Sequence, residues 1–319
     1  MKVLVTGANG FVGIALCQRL MAQGMEVAGA VRTAAVRLPS GVSRHVVGDI
    51  GGQTDWRSAL TACDAVVHLA GRTQTRRESA HETLKTFRAV NVEGTLGLAR
   101  QAAQAGVRRF VFVSTIKVNG ERTPPDRPFA ADDPPAPEDA YGLSKLEAER
   151  GLIELAQKVG MEVVIVRPPL VYGPGVKGNF AALAHAVRRR LPLPFATVNN
   201  RRSLIALDNL VSFLALCADA ARSPAAANEV FLVADREEVS TPELIHRLAR
   251  AYGVPPRLVP VPPAWLASTA RLLGRSAAAQ RLLDSLVIDA SKARERLAWQ
   301  PEVTMEEQLR KMVGHDQGL

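Results

Sequence analysis

Two residues four apart, Tyr141 and Lys145 in Tyr141-Gly142-Leu143-Ser144-Lys145, carry the sharpest chemical signal in the chain. On a helix that spacing puts both side chains on one face. There the lysine charge can lower the tyrosine pKa from about 10 toward neutrality, as a group that gives or takes a proton near pH 7 requires. A tyrosine and a lysine at this spacing often arise by chance. Ser114-Thr115 at the end of an apolar run, and a glycine turn at the start of the chain, make the pair part of a larger constellation.

That turn lies in Val3-Leu4-Val5-Thr6-Gly7-Ala8-Asn9-Gly10-Phe11-Val12-Gly13, which reads as an apolar strand, a turn and a helix start. Glycine permits the tight turn and lets backbone N–H groups approach a pyrophosphate, whose charge the helix N-terminus favours. The spacing is G-x-x-G-x-x-G rather than G-x-G-x-x-G, with the same physical task. A dinucleotide held by Gly7, Asn9, Gly10, Phe11, Val12 and Gly13 is the expectation. The next strand would normally end in a carboxylate that grips the adenosine ribose of NAD. Here it ends Gly29-Ala30-Val31-Arg32-Thr33. Arg32 suits a ribose 2′-phosphate, which favours NADP(H) over NAD(H); a solvated arginine after a strand is the alternative. Asp49-Ile50 is placed to meet the adenine, unless Asp49 is simply an exposed loop residue.

Such groups need a frame. Over the first 170 residues, short β-branched runs alternate with amphipathic stretches, the pattern of a parallel sheet with crossover helices. Strands are expected at Lys2–Thr6, Glu26–Val31, Arg44–Val47, Ala65–Leu69, Arg109–Val113 and Glu162–Val166, and helices at Phe11–Gln23, Leu84–Gln104 and Tyr141–Val159. The fold class is therefore α/β, a doubly wound parallel sheet (Rossmann) with a smaller C-terminal α/β substrate lobe. Pro168-Pro169 stops the last strand. Helices at Gly178–Arg190, Asp208–Ala221, Thr241–Ala251 and Pro263–Leu273 follow, with strands at Ser203–Leu207 and Val230–Val233. We expect residues 1–167 to form the dinucleotide domain, with 203–233 returning to it, and residues 168–202 and 234–319 to form the lobe.

Composition narrows the class of protein. The 319 residues are 47% hydrophobic and 22% charged, the balance of an ordinary globular chain that needs no disulfide staples. Cys17, Cys63 and Cys217 lie far apart, which suggests a reducing compartment and no zinc knuckle. The apolar runs are too short for a signal peptide or a membrane span, so a cytoplasmic protein is expected. The net charge of +9 admits nucleic acid, an anionic membrane surface or a phosphorylated small molecule. Aromatic residues are only 5%, and none interleave with Arg76-Arg77, Arg188-Arg189-Arg190 or Arg201-Arg202 as a base-stacking surface requires. Nucleic acid is disfavoured, and a phosphate-bearing ligand accounts for the clusters. The six histidines lack metal-ligand spacing. His68 reads as structural, Asn91 as either a relay or a helix-packing residue, and the tryptophans as packing anchors.

Taken in order, the glycine turn, His68-Leu69-Ala70-Gly71, Ser114-Thr115, Tyr141/Lys145 and Arg167-Pro168-Pro169-Leu170-Val171-Tyr172-Gly173-Pro174-Gly175 resemble an extended short-chain dehydrogenase/reductase. More narrowly, they are similar to the nucleotide-sugar epimerase/dehydratase group, over essentially the whole chain. The resemblance implies that Tyr141 is the acid/base, Lys145 its modulator and nicotinamide-ribose anchor, and Thr115 the hydroxyl that orients a sugar oxygen. It also implies that Leu69, Ala70, Gly71 and Pro168 line the cofactor. Lys177-Gly178-Asn179-Phe180 resembles the segment that contacts a nucleotide diphosphate, and Arg202 of Arg201-Arg202 the position that clamps it.

The departures from that group are as informative. Its 4,6-dehydratases carry Asp-Glu after the catalytic hydroxyl residue; Ile116-Lys117 stands here, so elimination is disfavoured. Its 4-epimerases carry an acid after the second strand, Asn where Leu170 stands and Tyr where Asn119 stands. Ile116-Lys117-Val118-Asn119-Gly120 and Asn199-Asn200-Arg201-Arg202-Ser203 resemble reductases of bacterial surface-polysaccharide (O-antigen) pathways, with Lys117 toward the substrate. The leading expectation is therefore a reductase at C4 of a UDP-linked 4-keto-6-deoxy-N-acetylhexosamine, as a homodimer seamed along Leu84–Gln104 and Tyr141–Val159. A UDP-sugar 4-epimerase is the alternative, and a non-catalytic NADP(H)-sensing regulator the third reading.

Overall fold

The computed structural model describes residues 1–73, 80–124, 126–272 and 276–318. The Arg76-Arg77 cluster lies outside them. The chain opens strand–helix–strand, with β1 (Lys2–Thr6), α1 (Phe11–Ala22), β2 (Glu26–Val31) and β3 (Ser43–Val46). After α2 (Arg57–Leu60) come β4 (Ala65–His68), α3 (Ala80–Phe87), α4 (Thr95–Gln104), β5 (Arg109–Val113), α5 (Ala140–Val159) and β6 (Glu162–Arg167). The next elements are β7 (Leu170–Tyr172), α6 (Gly178–Arg188), β8 (Arg202–Ala206), α7 (Leu207–Ala218) and β9 (Glu229–Leu232). The chain finishes with β10 (Glu238–Val239), α8 (Thr241–Ala251), α9 (Pro263–Leu272), α10 (Ser276–Leu283), α11 (Ser291–Leu297) and α12 (Met305–Gln317).

Among the described residues the main sheet has seven parallel strands in the order β3-β2-β1-β4-β5-β6-β9. The period-two alternation of a strand sends Val3, Val5, Val67, Val111 and Val164 to one face, under α1 and α7. It sends Leu4, Val66, Phe110, Phe112 and Ile165 to the other, under α4 and α5. Helices on both faces of a parallel sheet make the doubly wound α/β fold. The strand order reverses between β1 and β4, which opens a crevice at their carboxyl ends.

Four differences from the sequence reading have local causes. The helix expected over Leu84–Gln104 starts at Ala80 and is interrupted: Arg88–Gly94 runs as a π-helix between α3 and α4. Pro168-Pro169 does end β6, but the chain resumes at once as β7, which leaves the main sheet for a three-stranded one, β10-β8-β7. The strand expected at Ser203–Leu207 is β8 in that small sheet, whereas α7 packs on α1 and β9 joins β6. The helices α10, α11 and α12 went unexpected, although α12 buries Met305, Leu309, Met312 and Val313 at the spacing of a helix face. The small sheet, α6, α8 and α12 share a separate core around Tyr172, Phe180, Leu244, Leu248 and Leu309.

A buried polar chain sits where β1 and β4 end. The Thr6 hydroxyl accepts the N–H groups of Leu69 and Ala70 (3.1 Å each) and lies 2.7 Å from His68 Nδ1. With both lone pairs used, its single proton must go to Nδ1. His68 Nε2 therefore carries the ring proton and donates to Thr95 Oγ1 at 2.9 Å. The ring is fully buried, and burial, with Lys145 nearby, pushes its pKa down to about 3. His68 is a neutral tie between strand and helix, as expected of a structural residue. Between pH 6.5 and about 3 the unfolded chain binds a proton that the folded chain refuses. Stability held above pH 6.5 should thus be lost as pH falls through that window. Urea midpoints against pH should drop more steeply in the wild type than in His68→Gln; equal slopes would contradict the assignment.

Candidate active site

Gly7 sits at φ +65°, where a side chain is strained. A Cβ on Gly13 would lie 2.1 Å from the Gly7 carbonyl oxygen, so only glycine lets α1 start this close to the turn. Gly10 precedes α1, and no side chain caps that helix. Asn9 and Gly10 are exposed and Phe11 and Val12 half-buried. A side-chain-free helix start at the crevice is a fitting cradle for a pyrophosphate. The buried Ser114 hydroxyl at the end of β5 has no partner among the described residues, as a lining that awaits a polar ligand would leave it. The residues present therefore fit a dinucleotide.

Arg32 and Asp49 do not act apart, as the sequence reading had them. Across the β2–β3 edge they form an ion pair, Arg32 Nε to Asp49 Oδ1 at 3.1 Å, with both side chains largely exposed. Ile50 next to it lies against the π-helix, where a Cβ on Gly94 would come 2.5 Å from Ile50 Cγ2. The loop after β4 is held by Asn91. Its side chain accepts from Arg72 N (2.8 Å), donates to Arg72 O (3.0 Å) and donates to Ser144 Oγ (3.0 Å) on α5. Asn91 thus ties the loop carrying Leu69, Ala70 and Gly71 to the helix carrying Tyr141 and Lys145. Pro168 is buried, and its carbonyl accepts Ile116 N at 3.0 Å, which fixes the turn after Thr115.

Lys145 is buried on α5, with Nζ 4.0 Å above the centre of the Phe112 ring. Burial pulls its pKa down to about 7, against a smaller upward pull from Glu149 one turn on. Tyr141 lines a cavity of about 470 Å³ with Thr73, Thr83, Phe87, Asp139, Ala140 and Arg281. Burial, then the Asp139 charge, push its pKa up to about 12. This corrects the expectation that the lysine charge lowers it: burial governs both groups, and it holds Tyr141 as the phenol. Thr115 is half-buried, and its hydroxyl accepts Lys117 N at 3.3 Å.

Lys117, expected toward the substrate, is engaged within the chain. Its ammonium pairs with Glu121 (2.6 Å) and with Asp139, which also caps α5 through Gly142 N (2.7 Å). Burial pushes the Asp139 carboxyl up, but the Gly142 N–H and Lys117 outweigh it and leave the pKa below the usual range. Asn119 is buried, accepting from Arg167 and donating to Ala130 O; Arg167 pairs in turn with Glu149. Phe180 is a correction too. Its ring stacks on Tyr172 inside the lobe (centroids 5.5 Å apart), so only its backbone could face a ligand, while Asn179 at the start of α6 is exposed. Arg201 and Arg202 diverge. Arg201 turns outward to Glu238 (2.6 Å), whereas Arg202 turns inward, donates to Asp284 O (2.9 Å) and has its pKa lowered to about 10 by burial. Arg281 lies close enough to add to that lowering. It was missed in the sequence because an isolated arginine in an alanine-rich helix carries no spacing signal. A second cavity, of about 420 Å³ around Asp235, Arg294 and Trp299, does not include Tyr141 in its lining.

Residues 3–234 match the NAD dependent epimerase/dehydratase family. The chain is 43% identical over 307 residues to a UDP-glucose 4-epimerase of Vibrio cholerae, spanning 96% of this chain and 92% of that one. Its fold is similar to the Thermus thermophilus UDP-glucose 4-epimerase solved with NAD (25% identity, TM-score 0.74, 100% and 99% of the two chains). It is also similar to MoeE5 solved with UDP-glucose and NAD (25% identity, TM-score 0.78, 100% and 99%). The cradle has a direct test: Gly13→Ala should weaken NADH binding, read by cofactor fluorescence, at least about tenfold with the circular dichroism spectrum retained. Wild-type affinity in that variant would contradict the cradle.

Proposed function

The chain belongs to the NAD dependent epimerase/dehydratase family, and from that membership we propose that it works at C4 of a UDP-linked sugar as a 4-epimerase. It is an enzyme of the extended short-chain dehydrogenase/reductase type, which removes the reading of a non-catalytic regulator. The observation that carries the proposal is the 43% identity to a UDP-glucose 4-epimerase across nearly the full length of both chains.

A bound nicotinamide dinucleotide supplies hydride transfer at the sugar carbon. The chain's own residues supply the rest. Gly7, Gly10 and Gly13 hold the pyrophosphate at the start of α1. Arg202 and Arg281 face the sugar's diphosphate, and the exposed N-terminus of α6 at Asn179 offers a further anion site. Tyr141 moves the proton at the C4 oxygen, with Thr115 orienting that oxygen. Its resting phenol is the proton-donating form. Taking a proton requires a charged Lys145 beside it, and burial makes that charge costly while Glu149 partly restores it. Two copies joined along α4 and α5, where Ile153 and Val159 are exposed, form the assembly.

One observation favours a second reading, reduction of a UDP-4-keto-6-deoxy-N-acetylhexosamine with NADPH. Arg32, where a carboxylate would suit NAD, offers a guanidinium to a 2′-phosphate once its exposed pair with Asp49 opens. NAD(H) is nevertheless the cofactor supported by the two complexes above. Interconversion of UDP-glucose and UDP-galactose by protein loaded with NAD is the expected result. Stoichiometric NADPH loss with the 4-keto sugar, and no interconversion, would instead establish the reductase. Arg32→Ala separately tests the cofactor: under the NAD reading the NADPH/NADH affinity ratio stays within about threefold, and a fall of about tenfold or more assigns the 2′-phosphate to Arg32.

A further inference from the structure

The helix α9 has no buried residue. It carries the two most exposed large apolar side chains described, Trp265 at 70% and Leu272 at 88%. Seven residues apart, they stand on one face, separated by about 10 Å along the axis. Between them on that face, Ser268 and Thr269 turn their hydroxyls inward and donate to the carbonyls of Ala264 (2.8 Å) and Trp265 (2.7 Å). The face therefore offers water little beyond hydrocarbon and an indole.

The sequence flanking it carries one sign of charge as far as Asp284. From Val254 to Leu283 the chain holds Arg257, Arg271, Arg275 and Arg281 and neither Asp nor Glu, within a protein of net charge +9. Among the described residues, Arg257 and Arg271 have no acidic partner. The apolar face, about 15 Å long and about 10 Å wide, is a small part of the roughly 800 Å² per partner that a stable protein interface buries. A lipid interface asks for less area, since it needs apolar side chains on one face and basic ones beside them. There tryptophan sits at headgroup level and arginines meet anionic phosphates. No described helix is long and apolar enough to cross a membrane.

We propose that α9 is a membrane-surface docking element that lies flat on an anionic phospholipid bilayer, with Trp265 and Leu272 in the headgroup region and Arg257 and Arg271 against the phosphates. The helix packs on α10, whose Arg281 lines the Tyr141 cavity, so docking would bring the mouth of that cavity close to the bilayer surface.

Trp265 provides its own reporter, because Trp56 and Trp299 are 0% and 7% exposed. The full chain would be sedimented with vesicles of phosphatidylglycerol and phosphatidylcholine, or of phosphatidylcholine alone, at low and high salt. Fluorescence would be followed with brominated lipid as the quencher. At least tenfold tighter binding to the anionic vesicles, weakened by salt and with tryptophan quenching, is expected. Trp265→Ser/Leu272→Ser should lose that binding tenfold or more, and Arg257→Gln/Arg271→Gln should lose the preference for anionic lipid. Both variants should keep the wild-type circular dichroism spectrum and dinucleotide affinity. No binding of the wild type to anionic vesicles at low salt would overturn the proposal, as would binding undiminished in the Trp265/Leu272 variant. A variant that instead breaks an oligomer, with wild-type vesicle binding absent, would assign the face to a second copy of the chain and overturn it equally.

Discussion

The contact between Gly13 and the Gly7 carbonyl sets the position of everything downstream. A helix can begin that near the end of its own strand only if one residue there lacks a Cβ, and the 2.1 Å at which a Cβ on Gly13 would meet the Gly7 oxygen leaves no tolerance. With α1 seated so close, its N-terminus points into the crevice where the strand order reverses between β1 and β4. The Thr6–His68–Thr95 chain then locks the two strand ends and the helix beyond them into one unit. A cofactor bound across this crevice would meet a frame built before it arrives, which is where binding gains from preorganisation.

The side carrying Tyr141 and Lys145 hangs from the same frame through a second device, the π-helical turn. An extra residue in that turn places Asn91 where its amide can mimic a neighbouring strand for Arg72 while it reaches Ser144 on α5. Local rewinding of a helix is a common mark of a functional position. Burial dominates the electrostatics. Tyr141 is held as a phenol and Lys145 near 7, with Glu149 and Arg167 forming a buried pair behind them.

How far the sequence could be read depended on whether a feature is local. The β-branched runs and the glycine turn are local, so the strands β1, β2, β4, β5 and β6 and the cradle were legible within a residue or two. Tyr141 and Lys145 were legible because their spacing matches the helix period. What escaped depended on contacts across the fold. The pairing of Lys117 with Asp139 spans twenty-two residues, the inward turn of Arg202 needs Asp284, and the burial of Phe180 follows from Tyr172 on a strand that the prolines had hidden. The sign of the Tyr141 shift was misread for the same reason. A spacing argument sees the neighbouring charge but not the loss of water.

On the proposed function, the Tyr141 phenol moves the proton at C4 on a frame that binds the dinucleotide without it. The most direct test is steady-state turnover of UDP-glucose by Tyr141→Phe beside the wild type, with dinucleotide affinity measured on the same preparations. Turnover should fall by about a hundredfold or more at nearly unchanged affinity. Turnover equal to the wild type would contradict it.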